Sequence, residues 1–340
     1  MQKRILIVRT DRVGDVVMIT PMIRELRKTF PDSFIATLTT ANTKDILLNN
    51  PYLDLTITDD KEKNSFLKVV KEISKHKFTD GLLVMPTERA AYQMFLGGIK
   101  NRIGVGRKLY EVITFMKSVS RNKYIPLRHE ADYCMDLARK IGVKTENLTP
   151  EIFLTGEEIS ETQKLFLNNG INNEEFKIIV HTGSKNSSPN WSEDKYLELI
   201  KGILKKYNSK KIKIILTALE MSEGFLNSIH NLKDPAIVDL SGKVNSLRHL
   251  INIIYCSDFI VVSSTGPAHL ADALGKKGIV IYCKRRMSCV KHWGTQSSKI
   301  INLEVSEEHC GKFCSSDKEI CDIENGISVD EVLKNIILEE

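Results

Sequence analysis

Phe259-Ile-Val-Val-Ser-Ser-Thr-Gly-Pro-Ala-His-Leu270 is the stretch on which the fold class turns. A short run of buried-type apolar residues ends in three hydroxyls and a glycine, and Pro267 then opens an amphipathic segment. That order reads as a buried parallel strand, a tight turn and a helix N-terminus. Ser264 or Thr265 supplies a cap, and Gly266 lets a ligand come close to the backbone. The N–H groups of Thr265, Gly266 and Ala268 then form an anion site matched to a diphosphate. The same residues also read as an ordinary satisfied helix cap. His269, one turn in, is either a phosphate contact or a packed core histidine.

Working outward, the same rhythm recurs. Strand-like runs fall at Arg4–Val8, Phe34–Leu38, Leu55–Thr58, Gly81–Met85, Lys177–His181, Lys213–Thr217, Ile237–Leu240 and Gly278–Tyr282. Amphipathic segments lie between them at Val16–Phe30, Lys61–Lys77, Glu130–Ile141, Asp194–Tyr207, Ser246–Cys256 and Pro267–Leu274. Strands alternating with helices build parallel βαβ units, so the class is α/β with doubly wound sheets. The rhythm pauses between about 145 and 172, a stretch that reads as an interdomain linker with a boundary near 160, giving domains 1–160 and 161–340. A capping box, Ser328-Val-Asp-Glu331, opens a last helix over 328–339, which either stays with the second domain or packs back on the first. Ligands of such sheets bind beyond the carboxyl ends of the strands, where the candidates are therefore sought.

Composition supports two packed domains. The 340 residues are 42% hydrophobic and 27% charged, with 19 Gly and 9 Pro, which excludes disordered, collagen-like and low-complexity classes. No apolar run approaches the roughly 18 residues of a membrane span. The start, Met1-Gln-Lys-Arg-Ile-Leu-Ile-Val-Arg9, lacks a signal-peptide pattern, so a cytoplasmic location is expected. Seven cysteines in such a chain read as reduced thiols. Cys310-x3-Cys314-x6-Cys321 lacks the paired spacing of a zinc site, and His309 is awkwardly adjacent, so no metal is expected.

The net charge of +6 hides an asymmetry of about +9 for residues 1–150 against about −3 for the rest. Lys100, Arg102, Arg107, Lys108, Lys117, Arg121, Lys123 and Arg128 face one acid, Glu111, with Leu109, Val112, Ile113, Phe115 and Met116 interleaved. Such a stretch suits dense negative charge on a nucleic acid, an anionic membrane or a phosphorylated ligand, or is a solvated surface. No stacking platform or helix-turn-helix accompanies it, so nucleic acid is the weakest of these partners.

Two further turns carry chemistry. After Arg4–Val8 comes Arg9-Thr-Asp-Arg-Val-Gly14-Asp15, whose single glycine disfavours a nicotinamide dinucleotide. Asp15 is placed either to accept a proton from a hydroxyl as general base or to cap a helix. After Lys177–His181, the turn Thr182-Gly183-Ser184-Lys185 supplies a second glycine, hydroxyl and cation set. Two phosphate-type turns in one domain suggest a nucleotide.

These motifs together resemble glycosyltransferase family 9, the ADP-heptose:lipopolysaccharide heptosyltransferases. The resemblance rests on Ile5–Val8, Gly14-Asp15-Val-Val17, Thr20-Pro21, Arg24-Glu-Leu-Arg27, Phe30-Pro31 and Arg102-Ile-Gly104. It continues through His181-x-Gly-Ser184, Trp191, Leu240-Ser-Gly-Lys243, Ser257-Asp-Phe259, Ser264–Leu270 and His292-Trp293-Gly294. The resemblance implies a GT-B fold of two Rossmann-like domains facing a cleft, the first binding acceptor and the second a nucleotide sugar. It implies inverting, metal-independent transfer without cofactor, from an ADP-sugar to a lipid-linked acidic glycan, the Kdo-lipid A inner core, by a protein peripheral at the inner face of the cytoplasmic membrane. On this resemblance Asp15 is the general base. Gly183, Ser184, Lys185, Ser264, Thr265, Gly266 and His269 handle the donor phosphates, and Glu220 or Glu223 meets the nucleoside. Gly14, Arg12, Lys100, Arg102, Arg107, Lys108 and Arg121 are the expected acceptor side. Two positions depart from the family: Ser264 stands where an Asp is common, and Pro189 where a Lys is common, with Lys185 close enough to substitute. The alternatives are another nucleotide sugar or surface glycan, or a non-catalytic nucleotide- or glycolipid-binding homologue.

Overall fold

The computed structural model describes residues 2–338 apart from 63, 107, 185, 186, 219, 220 and 315–320. Arg107, Lys185 and Glu220, three of the expected site residues, lie outside the described residues. The chain divides into two compact units, Met1–Phe153 and Leu154–Glu340.

The first unit holds strands β1 (Arg4–Val8), β2 (Phe34–Thr39), β3 (Leu55–Thr58), β4 (Asp80–Leu83), β5 (Asn101–Val105) and β6 (Lys117–Val119). They form one parallel sheet in the order β3-β2-β1-β4-β5-β6. The second holds β7 (Phe176–His181), β8 (Ile212–Leu216), β9 (Ile237–Asp239), β10 (Phe259–Ser263), β11 (Lys277–Tyr282) and β12 (Ile300–Glu304), also parallel, in the order β12-β11-β10-β7-β8-β9. Read from the other edge, this is the strand order of the first unit. The class is α/β, and both units are Rossmann-like as in the GT-B fold.

Each sheet buries its central strands on both faces. Ile5, Leu6, Ile7 and Val8 of β1 have no exposed surface, nor have Val261 and Val262 of β10. A fully buried side chain of this kind contributes about 1.5–3 kcal/mol relative to an exposed one. Leu6, Val8, Ala36, Leu38 and Leu83 anchor one core; Ile178, Val180, Leu199, Ile214, Val261 and Ile279 anchor the other.

Several elements differ from their sequence reading. The segment read as one helix over Val16–Phe30 is two, Val13–Val17 and Thr20–Thr29. Pro21 has no N–H to continue the first, and the Thr20 hydroxyl donates to the Val17 carbonyl at 2.8 Å instead. The expected linker contains a helix, Gly156–Asn168, opened by a capping box between Thr155 and Glu158. Arg248 clamps Glu158, with its Nε 2.5 Å from Oε1, which ties this helix to the Leu247–Cys256 helix and draws the division ahead of residue 160. The C-terminal helix, Val329–Asn335, stays with its own unit, against the Glu193–Lys206 helix. Gly202 permits this: a Cβ there would lie 2.5 Å from Leu333. Lys206 donates to the carbonyls of Leu333 and Ile336 at 2.6 and 2.9 Å.

Candidate active site

In the first unit, β1 delivers the chain into Arg9 and then the short Val13–Val17 helix, with Asp15 in its first turn. Asp15 is 18% exposed, and its carboxylate accepts from the Arg9 guanidinium. Arg9 itself is buried. Its Nε donates to Asp11 at 2.9 Å and its Nη1 to Glu130 at 3.0 Å. Glu130 receives both terminal nitrogens of Arg121, each at 3.2 Å. Three carboxylates thus share two guanidiniums, which leaves one net negative charge when all are ionised. Burial works against the charge on Arg9, but the carboxylates of Asp11, Asp15 and Glu130 around it hold its pKa well above the ordinary value. Asp11 is pushed up to about 6 by burial and by the like charge of Asp15, against the pull of Arg9. Burial also raises the Cys134 thiol, so no thiolate nucleophile stands here.

The expected acceptor residues separate into two groups. Arg12 and Lys100 are exposed, as is Lys108, and Gly14 is buried in the helix turn. Arg102 and Arg121 are engaged by protein groups instead, a commitment the sequence reading did not anticipate. Arg102 lies on β5 and donates to the carbonyls of Thr114 and Ile99; Arg121 is spent on Glu130. A buried strand and a buried acid, neither visible in the charge count, turn these arginines inward.

In the second unit the turns after β7 and β10 are neighbours, because the two strands pair directly, Val262 opposite His181. Asn190 joins them. Its Nδ2 donates to the Thr182 carbonyl at 2.6 Å, and its Oδ1 accepts from the Ser263 hydroxyl and, at 2.8 Å, from the Tyr196 hydroxyl. Burial raises the Tyr196 phenol, which stays a donor. His181 Nδ1 lies 2.9 Å from the Thr217 hydroxyl at the end of β8, and burial lowers its pKa to about 4, so the ring is neutral at pH 7. Gly183 brings the loop against Ala218, whose Cβ would sit 3.3 Å from a Cβ at position 183. Ser184 comes next, half-buried.

At the late turn Thr265 occupies the N-cap, yet its hydroxyl donates back to the Ser263 carbonyl at 3.2 Å and caps nothing. The Ala268 N–H, expected to face a ligand, is committed to the Thr265 carbonyl at 3.0 Å, another correction. The Ser264 N–H continues the ladder to Ile281 at 2.9 Å. Among the described residues the N–H groups of Thr265 and Gly266 have no protein acceptor, which leaves them at the positive end of the Gly266–Ala273 helix. His269 is buried, its ring 5.5 Å from that of Trp293.

Sequence reasoning missed Arg9, Glu130, Asn190 and Tyr196. The one available signal was an arginine directly ending a buried apolar strand. Among the thiols, Cys283 and Cys321 approach to 3.2 Å, and among the described residues no three His, Cys, Asp or Glu are placed to hold one metal ion.

The profile of glycosyltransferase family 9 (heptosyltransferase) matches residues 66–320. The chain belongs to glycosyltransferase family 9. Similar proteins agree with that membership. A Haemophilus influenzae protein, described only provisionally as a glycosyltransferase, is 25% identical over 96% of this chain and 95% of its own length. The crystal structure of a family 9 glycosyltransferase from Veillonella parvula superposes with a TM-score of 0.80 at 19% identity, covering 98% of this chain and 95% of that one. The E. coli ADP-heptose lipopolysaccharide heptosyltransferase II superposes at 0.77 and 18%, covering 98% and 97%. At these identities the structures establish a shared fold, and family 9 membership supports a glycosyltransferase activity.

Proposed function

We propose that this family 9 glycosyltransferase transfers heptose from ADP-heptose to the Kdo-lipid A inner core of lipopolysaccharide, inverting the anomeric centre without metal or cofactor. In this reading the acceptor is a lipid-linked acidic glycan met by peripheral contact at the inner face of the cytoplasmic membrane. The observation that carries it is Asp15 held by buried Arg9 at the carboxyl end of β1. Arg9 orients this carboxylate while its Nε and Nη1 hold Asp11 and Glu130. Asp15 takes the proton of an acceptor hydroxyl as that oxygen attacks the anomeric carbon. The bond to the diphosphate breaks, and ADP leaves with the negative charge. In the second unit the N–H groups of Thr265 and Gly266 at a helix N-terminus suit that leaving group, and the Gly183–Ser184 turn lies on the neighbouring strand. Exposed Arg12, Lys100 and Lys108 remain as acceptor-side cations.

Ser264, where the family often carries Asp, favours a second reading with another nucleotide sugar as donor. ADP release from ADP-heptose with Kdo-lipid A, compared between wild type and Asp15→Asn, tests the proposal. Release that depends on acceptor and falls at least about a hundredfold in the variant, with ADP binding kept, is expected for a lost general base. ADP binding without turnover in the wild type would sink the heptose reading. A panel of nucleotide sugars then separates another donor from a binding-only homologue.

A further inference from the structure

The segment after β5 turns its apolar side chains outward. Leu109, Val112 and Ile113, spaced to share one face of the Leu109–Ile113 helix, are 76, 65 and 49% exposed, and Phe115 in the adjoining turn is 77% exposed. Large hydrophobic residues grouped in this way mark an interaction surface. Phe115 adds a second observation. It sits at φ +52°, the left-handed region that normally takes glycine at a helix end, held there by its N–H to the Val112 carbonyl at 3.0 Å. A bulky side chain in that conformation is unusual, and here it lies outside any core.

The charges around the patch say which partner. Glu111, the sole acid between residues 108 and 129, is buried beneath Gly104, while Lys108 and Lys117 are exposed. Arg102 and Arg121, the planar groups best suited to single phosphates, point inward. The outer surface keeps apolar side chains rimmed by lysines on flexible stems, the pattern of an element lying in an anionic lipid interface.

We propose that the Leu109–Phe115 helix and turn insert into the headgroup boundary of an anionic bilayer, with Lys108 and Lys117 at the phosphates. This deepens the proposed function, in which the acceptor is lipid-linked, but its test needs neither donor nor acceptor. Flotation is measured with vesicles of phosphatidylcholine alone and of phosphatidylcholine containing a minority of phosphatidylglycerol. The wild type should float with the anionic vesicles, and Leu109→Ser with Phe115→Ser should weaken partition at least about tenfold, as loss of two buried apolar side chains requires. Circular dichroism and ADP binding of that variant should match the wild type, since both side chains are exposed. Lys108→Glu with Lys117→Glu should abolish the preference for anionic over neutral vesicles. Wild type that stays unbound, or a double serine variant that floats equally well, would overturn the proposal. So would wild-type self-association in sedimentation that the serine variant abolishes, because a second copy would then be the occupant. ADP release from the soluble reaction is a separate readout, so either reading can fail alone.

Discussion

Asp11 and His181 titrate in opposite senses. His181 is neutral in the fold, with a pKa of about 4 against about 6.5 in an unfolded chain, so the unfolded state binds the proton between those values. Its contribution is complete above about pH 6.5 and is lost as pH falls toward 4. Asp11 does the reverse: raised to about 6, it binds its proton in the folded state first, and stability rises as pH falls through 6. The two trends offset one another in the wild type. Asp11→Asn removes one of them, so urea denaturation of this variant should show stability falling more steeply from pH 6.5 to 4.5 than in the wild type, by roughly 2 kcal/mol. Neither group was legible as a titrating residue in the sequence. Asp15 was, because its place after a strand and a glycine is local. Arg9 meets Glu130 across 121 positions and Tyr196 meets Ser263 across 67, and pairings at that range leave no spacing to read.

Elements were legible where apolar residues ran unbroken. β1, β7 and β10 show this, whereas β5 hides behind Arg102 and Gly104, β6 is three residues long, and β12 alternates as Ile-Ile-Asn-Leu-Glu. The Gly156–Asn168 helix hid in a stretch that looked like linker, since Thr155 and Glu158 form its capping box just past a polar, proline-containing run. Arg248 on Glu158 lowers that carboxyl to about 2, chiefly through their hydrogen bonds. Glu158→Gln should cost about 1–3 kcal/mol, seen as a lower melting temperature, because Arg248 is left nearly buried against a neutral partner.

The whole chain folds as two units, each with its own sheet and core. Calorimetry should accordingly resolve two unfolding transitions. ADP at about a hundred times its dissociation constant should stabilise one of them by about 2.7 kcal/mol and leave the other in place, if the donor turns of the second unit hold the nucleotide. The division into an electropositive and a mildly acidic half was visible in the sequence, but the cause of the first half's charge was not: several of its arginines serve internal acids. The two sheets also repeat a single strand order. That repetition makes the chain one blueprint executed twice. The turn after the first strand differs between the copies: it carries Asp11 and Asp15 in one and Thr182, Gly183 and Ser184 in the other. A cut at the Phe153–Leu154 junction therefore severs no strand of either sheet, so one copy can be exchanged without breaking the pairing of the other.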